Sequence, residues 1–210
     1  EEMLSAAGIE TVYKDVYPAT EKNFDSVVNA IKDSGAEMVV QGAQFEDGVN
    51  FIRAMNRAGY APRILFQSSS PTYGGQYLDG VGQENTEGVF FATSYATAAE
   101  TPGNEEFVAK YKEMFDGNEP PEDAADGYAA GQVLAAAVEA VGSLDDQKAL
   151  ADWLRENRVQ TILGELGWNE DGSPDGEFLV GQWQNGVPEV VLPDDVATVD
   201  SILSWRGPAL

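Results

Sequence analysis

The 210-residue sequence contains no histidine and no cysteine. Their absence removes Ser-His-Asp and Cys-His nucleophilic catalysis, every zinc site that relies on imidazole or thiolate, and any structural disulfide. Cysteine usage therefore says nothing about redox compartment. An enzyme built from this chain would be confined to carboxylates, Lys, Tyr, Ser or a bound cofactor. Positive charge is also scarce, with 12 Lys and Arg against 36 Asp and Glu and a net charge of −24. Such a surface repels phosphate backbones and excludes nucleic acid as an expected partner. It suits a soluble extracytoplasmic protein or a salt-adapted organism. No apolar run approaches the ~20 residues of a membrane-spanning helix.

The opening stretch "EEMLSAAGIETVYKDVYP" has neither a signal peptide nor an initiator Met, and it reads as the last turns of a helix. The expectation is that these residues are the later part of a longer chain.

From there the pattern alternates. Thr11–Tyr17 is β-rich, with Val12, Tyr13 and Val16. Helix Asn23–Ser34 sets Phe24, Val27, Val28 and Ile31 on one face, and Gly35 stands in the usual position after a helix. "MVV" within Glu37–Gln41 reads as a short buried strand. A second helix over 46–58 turns Val49, Ile52 and Met55 inward before Gly59. Arg63–Phe66 is the next strand, a less regular piece covers Gln76–Val81, and "EGVFFATSY", 87–95, is another strand. Strands and helices alternating with short links predict an α/β fold of right-handed βαβ units on a parallel sheet. After "ATAAETPGN", a plausible domain crossing, three helices follow in a row. Asn104–Phe115 is expected to bury Phe107, Val108, Tyr111, Met114 and Phe115. Asp123–Val141 is Ala-rich with Asp123 as its cap, and Asp145–Asn157 carries Leu150, Trp153 and Leu154. No strand separates these helices, so they cover a sheet that the chain does not supply. Residues 161–193 then read as short strands, with Asn185-Gly186 a two-residue hairpin turn.

Ligands bind parallel sheets at the carboxyl ends of the strands. This selects Tyr17–Thr20, Gly42–Glu46, Gln67–Tyr73 and Ser94–Thr97. In "GAQFEDG", 42–48, Glu46 and Asp47 suit the helix N-terminus, while Ala43, Gln44 and Phe45 are candidate ligand contacts. In "QSSSPTYGG", 67–75, the candidates are Gln67, Ser68, Ser69, Ser70 and Tyr73. A nucleophilic serine there would lack a histidine base, a G-x-S-x-G elbow and any nearby Lys; the loop is also no Walker-type phosphate cradle. "NEDGSPDGE", 169–177, has Pro174 where a calcium loop wants glycine, so a hairpin turn is expected and no metal site. Ser94, Tyr95 and Tyr128 are candidate hinge or cleft residues. No cofactor is expected.

Three stretches, "NFDSVVNAIKDSGAEMVVQGAQFEDGVNFIRAMNRAGYAPRILFQSSS", "GNEEFVAKYKEMFDGNEPPEDAADGYAAGQVLAAAVEA" and "TILGELGWNEDGSPDGEFLVGQWQNGVPEVVLP", together resemble the type I periplasmic substrate-binding proteins of branched-chain amino acid ABC transporters. The resemblance covers nearly the whole chain and implies two doubly wound parallel-sheet lobes joined by a hinge. On that pattern residues 1–95 and 177–210 belong to the second lobe, and 96–176 are the helical return into the first. The first lobe's sheet and the second lobe's opening strand are missing from the chain. In relatives the loops matching 42–46 and 67–73 contact ligand, and leucine-type members carry there a Glu that pairs with the ligand ammonium. "QSSS" has no acid, which leaves the class open among amino acids, amides, urea and aromatic acids. The implied function is capture of a small polar metabolite in the periplasm or at the cell surface and delivery to an ABC permease, by a protein that is monomeric when complete. A ligand-sensing domain of the same fold is the alternative, and a hydrolase built on Ser68–Ser70 a third.

Overall fold

The computed structural model describes residues 2–18, 20–176 and 178–205. By its internal contacts the chain divides into two compact units. One comprises residues 1–92, 181–191 and 199–210, the other residues 93–180 and 192–198. No described helix is long and apolar enough to cross a membrane.

The first unit runs α1 (Glu2–Ala6), α2 (Asp25–Ser34), β1 (Met38–Gln41), α3 (Phe45–Ala58), β2 (Ile64–Gln67), a 3-10 turn (Ser70–Tyr73), α4 (Gly75–Val81), α5 (Gln83–Thr86) and β3 (Phe90–Thr93). β1 and β2 pair in parallel with Met38 opposite Ile64 and Gln41 opposite Gln67, and Phe66 stands opposite Phe90 of the parallel β3. Parallel pairs need crossovers, and α3 is the one between β1 and β2. α2 and α3 end where the sequence says they must. Gly35 and Gly59 both take the left-handed conformation, at φ 73° and 57°, which a side chain would resist. The helices pack Phe24, Val28, Ile31, Phe51, Ile52 and Met55 onto Val39 and Leu65 of the sheet.

The sheet extends to β6 (Leu179–Gln184) and β7 (Val187–Leu192), in the order β1-β2-β3-β6-β7. Asn185 and Gly186 turn the hairpin with φ of 56° and 81°, the two positive values that a two-residue turn of this kind requires. Trp183 is sealed in the core and donates from Nε1 to the Pro71 carbonyl, so the hairpin also fixes the turn after β2.

Thr11–Tyr17 departs from expectation, because it joins no ladder. Its residues are β-rich, but a strand exists only against a partner. With Met38–Gln41 of the β1 edge the segment lines a cavity of about 1120 Å³. In a parallel ladder alternate residues face opposite neighbours. Glu37 and Gln41 turn their carbonyls to β2, which leaves Met38 and Val40 facing this cavity.

The second unit contains α6 (Asn104–Met114), α7 (Glu122–Val141), α8 (Gln147–Glu156) and the antiparallel pair β4 (Val159–Thr161) and β5 (Gly164–Leu166). Its core gathers Tyr95, Phe107, Ala125, Ala129 and Ile162. Met114 and Phe115 are exposed rather than buried, since α6 ends at Met114 and Phe115 stacks on Tyr111 with ring centroids 4.3 Å apart. α7 begins at Glu122, so Asp123 lies in its first turn and Pro121 takes the cap position. Over 169–173 the chain makes a tight turn in which Asp171 accepts from the amide and hydroxyl of Ser173.

Gly48 is where α3 meets the 3-10 turn. A Cβ there would stand 2.4 Å from both Cβ and Oγ of the buried Ser70. Gly48→Ala is therefore expected to push the Ser70 turn outward and cost about 1–3 kcal/mol, measured by denaturant unfolding of the full-length protein against Gly42→Ala, whose Cβ meets nothing within 4 Å.

Candidate functional site

The carboxyl ends of β1 and β2 are tied together by polar side chains under the surface. Gln67, with no exposed area, donates from Nε2 to Gln41 Oε1 at 2.6 Å and to the Gly48 carbonyl at 3.0 Å. The Tyr77 hydroxyl donates to Gln67 Oε1 at 2.7 Å. Gln41 Nε2 in turn donates to the Tyr17 hydroxyl, which donates to Asp47 at 2.7 Å. Asp47 closes the series by accepting the Gln44 amide at 2.8 Å, where α3 begins. Five side chains from five segments thus form one continuous hydrogen-bonded series. Burial, with the Asp47 bond next in weight, pushes the Tyr17 phenol from 10.0 up to about 12.

This frame sorts the expected contacts. Gln67 and Ser70 are sealed inside, and the Ser70 hydroxyl donates to the Phe45 carbonyl. Both shape the loops from within. Ser68 locks the loops to each other: its hydroxyl accepts the Ala43 amide at 2.9 Å and lies 3.1 Å from the Ala43 carbonyl. Ala43 itself is buried. At the surface are Gln44, exposed, and Ser69, Phe45 and Tyr73, each half-buried, the two rings resting partly on the core. The rings of Phe45 and Tyr73 lie 5.0 Å apart, so the two loops present one aromatic ledge. No hydrogen bond within the described residues engages the hydroxyl of Ser69 or Tyr73. Asp47 is committed inward, which leaves Glu46 as the loops' one exposed carboxylate.

Ser94, Tyr95 and Tyr128 lie in the second unit. Tyr95 is buried, with its hydroxyl donating to Asn104. The Asn104 amide gathers the carbonyls of Thr97 and Ala99. Tyr128 is half exposed with its ring 4.9 Å from Phe107. Ser94 is held by Glu122 and Asp126. Sequence reasoning missed Tyr17, Gln41 and Asp47 as a connected group. The signal for Gln41 and Asp47 is positional: they stand at the end of β1 and in the first turn of α3, where a buried polar side chain needs a partner. Among the described residues no group of three or more acidic side chains is arranged to hold a metal ion.

Tyr17→Phe removes the acceptor of Gln41 Nε2 and a donor to Asp47 Oδ2 and is expected to cost about 1–3 kcal/mol near neutral pH. Because the folded value lies above 10.0, the contribution of the neutral phenol is complete below pH 10. It is lost as pH rises toward 12. Denaturant unfolding of wild type and Tyr17→Phe across that range should show the gap between them narrowing.

The family described as periplasmic binding protein matches residues 1–187. A Leu/Ile/Val-binding protein homologue of Brucella abortus is 29% identical over 94% of this chain and 51% of its own length. An amino acid binding protein of Pseudomonas aeruginosa is also 29% identical, over 87% of this chain and 48% of its own length. Among solved structures, the leucine-binding protein LivK of Thermotoga maritima superposes with a TM-score of 0.79 at 22% identity, covering 92% of this chain and 55% of that one. The solute-binding protein of an R. palustris ABC transporter, in complex with benzoate, gives 0.77 at 18% identity, covering 97% and 55%. The chain spans about half the length of the curated relatives it matches. It belongs to the periplasmic binding protein family, with the type I α/β fold of the branched-chain amino acid transport group.

Proposed function

We propose that these residues are part of an extracytoplasmic solute-binding protein. It captures a small polar metabolite, an amino acid, amide or related organic acid, between two lobes and delivers it to the permease of an ABC transporter. The observation that carries this reading is the division of labour at the ends of β1 and β2. Gln67, Ser68, Ser70 and Asp47 are bonded inward and fix the loops. Gln44 is exposed on that fixed frame, and Ser69, Tyr73 and Phe45 are part-exposed on it. Positioned donors and an aromatic surface on a rigid support are what specific capture of a small molecule needs. They supply no nucleophile–base pair, and solved structures of the same fold include solute-binding proteins of ABC transporters. Ala43 acts through its backbone, as the hub to which Ser68 and Ser69 are bonded.

The test is calorimetry on the full-length protein with ligands that raise its melting temperature. Ser69→Ala is expected to weaken binding by up to about tenfold, the worth of one net hydrogen bond, without changing unfolding. Ser68→Ala should instead lower stability. Equal loss of affinity from both, or no ligand among amino acids, amides and organic acids, would overturn the assignment.

A further inference from the structure

The chain leaves the first compact unit after Ala92, and Glu122 bonds to both of the next two residues. Oε1 of Glu122, at the first position of the 20-residue helix α7, accepts the Ser94 amide at 2.5 Å and lies 3.0 Å from the Ser94 hydroxyl and 2.9 Å from the Thr93 hydroxyl, whose hydrogen the Tyr95 carbonyl at 3.0 Å also contests. One turn further along α7, Asp126 Oδ1 lies 2.8 Å from the same Ser94 hydroxyl. A serine hydroxyl has one hydrogen to give and lone pairs to receive. It cannot donate to both carboxylates. Glu122 and Asp126 are also like charges at i, i+4, a spacing that repels on an open helix. No Lys or Arg is hydrogen-bonded to either within the described residues.

We propose that Glu122, the Ser94 hydroxyl and Asp126 form a proton-sharing latch on the Thr93–Tyr95 segment. Ser94 commits its hydrogen to Glu122. Asp126 takes a proton from solvent and donates it to the freed lone pair of Ser94 Oγ. One proton gained converts a contested hydroxyl into a directed series, Asp126 to Ser94 to Glu122, and removes the i, i+4 repulsion. The segment is thus held more firmly in mild acid than at neutral pH.

The surroundings agree. Partial loss of water pushes the Asp126 carboxyl above its ordinary value, with Glu122 and Asp123 adding to the rise and the Ser94 bond opposing it. The other titratable group on the segment, Tyr95, is turned away to Asn104, with Glu119 as its charged neighbour. A carboxyl whose folded value is raised contributes stability that is present in acid and is lost as pH rises through that value. The latch concerns the crossing segment itself and does not depend on which ligand is captured.

An NMR titration of the full-length protein tests it, reading the Asp126 side-chain carboxyl carbon and the Ser94 amide proton together. The expected result is an Asp126 midpoint above the ordinary carboxylate range, with the Ser94 amide shift moving at the same midpoint. In Asp126→Asn, whose amide donates to Ser94 at every pH, the Ser94 amide should stay at its acid-limit position throughout. If that variant fails to fold, the wild-type titration decides alone. An Asp126 midpoint in the ordinary range, or a Ser94 amide that ignores it, overturns the latch.

Discussion

The first unit depends on a buried run of hydrogen bonds from Tyr77 through Gln67, Gln41 and Tyr17 to Asp47. Removing one amide from water without a partner costs a few kcal/mol, so a run of this kind is stable only when every member is paired. Each member belongs to a different segment. The pairing therefore specifies how β1, β2, α3, α4 and the Tyr17 segment meet, beyond what apolar packing alone would fix. Gly48 belongs to the same constraint, because its carbonyl receives Gln67 and its missing side chain admits Ser70.

With this frame in place, three consecutive serines acquire three different duties. Ser68 joins the two loops, Ser70 anchors the turn under α3, and Ser69 is left with an unengaged hydroxyl beside the Phe45 and Tyr73 rings. Near-identical neighbours in sequence are separated only by direction along an irregular turn. The resulting surface carries hydroxyls, an amide and aromatic rings. It holds no cation, and its one exposed acid is Glu46.

Much of this was legible beforehand. The βαβ alternation, the glycine stops at 35 and 59 and the Asn185-Gly186 turn are local signals that tertiary structure had no reason to override. The two candidate loops followed from the strand-end rule for parallel sheets. Other features were not legible because they depend on neighbours. Thr11–Tyr17 has a strand's β-rich composition, yet it joins no ladder, and with the β1 edge it lines a cavity. Met114 and Phe115 fit the apolar stripe of α6, but nothing within the described residues covers that end of the helix. Gln67 looked like a ligand contact because a polar residue at a strand end usually faces out. Its burial follows from the partners that Gln41 and Tyr77 supply from distant positions.

Of the chain's many acids, with a net charge of −24, Glu46 is the one exposed at the candidate loops. The account rests on the claim that the carboxyl ends of β1 and β2 meet the ligand. Amide and methyl shift mapping of the full-length protein, with and without a saturating ligand, tests that claim most directly. The account predicts the largest perturbations at Gln44, Phe45, Ser69 and Tyr73, with smaller ones at the buried Gln67 and Ser70. Perturbations that spare both loops while saturating elsewhere would contradict it.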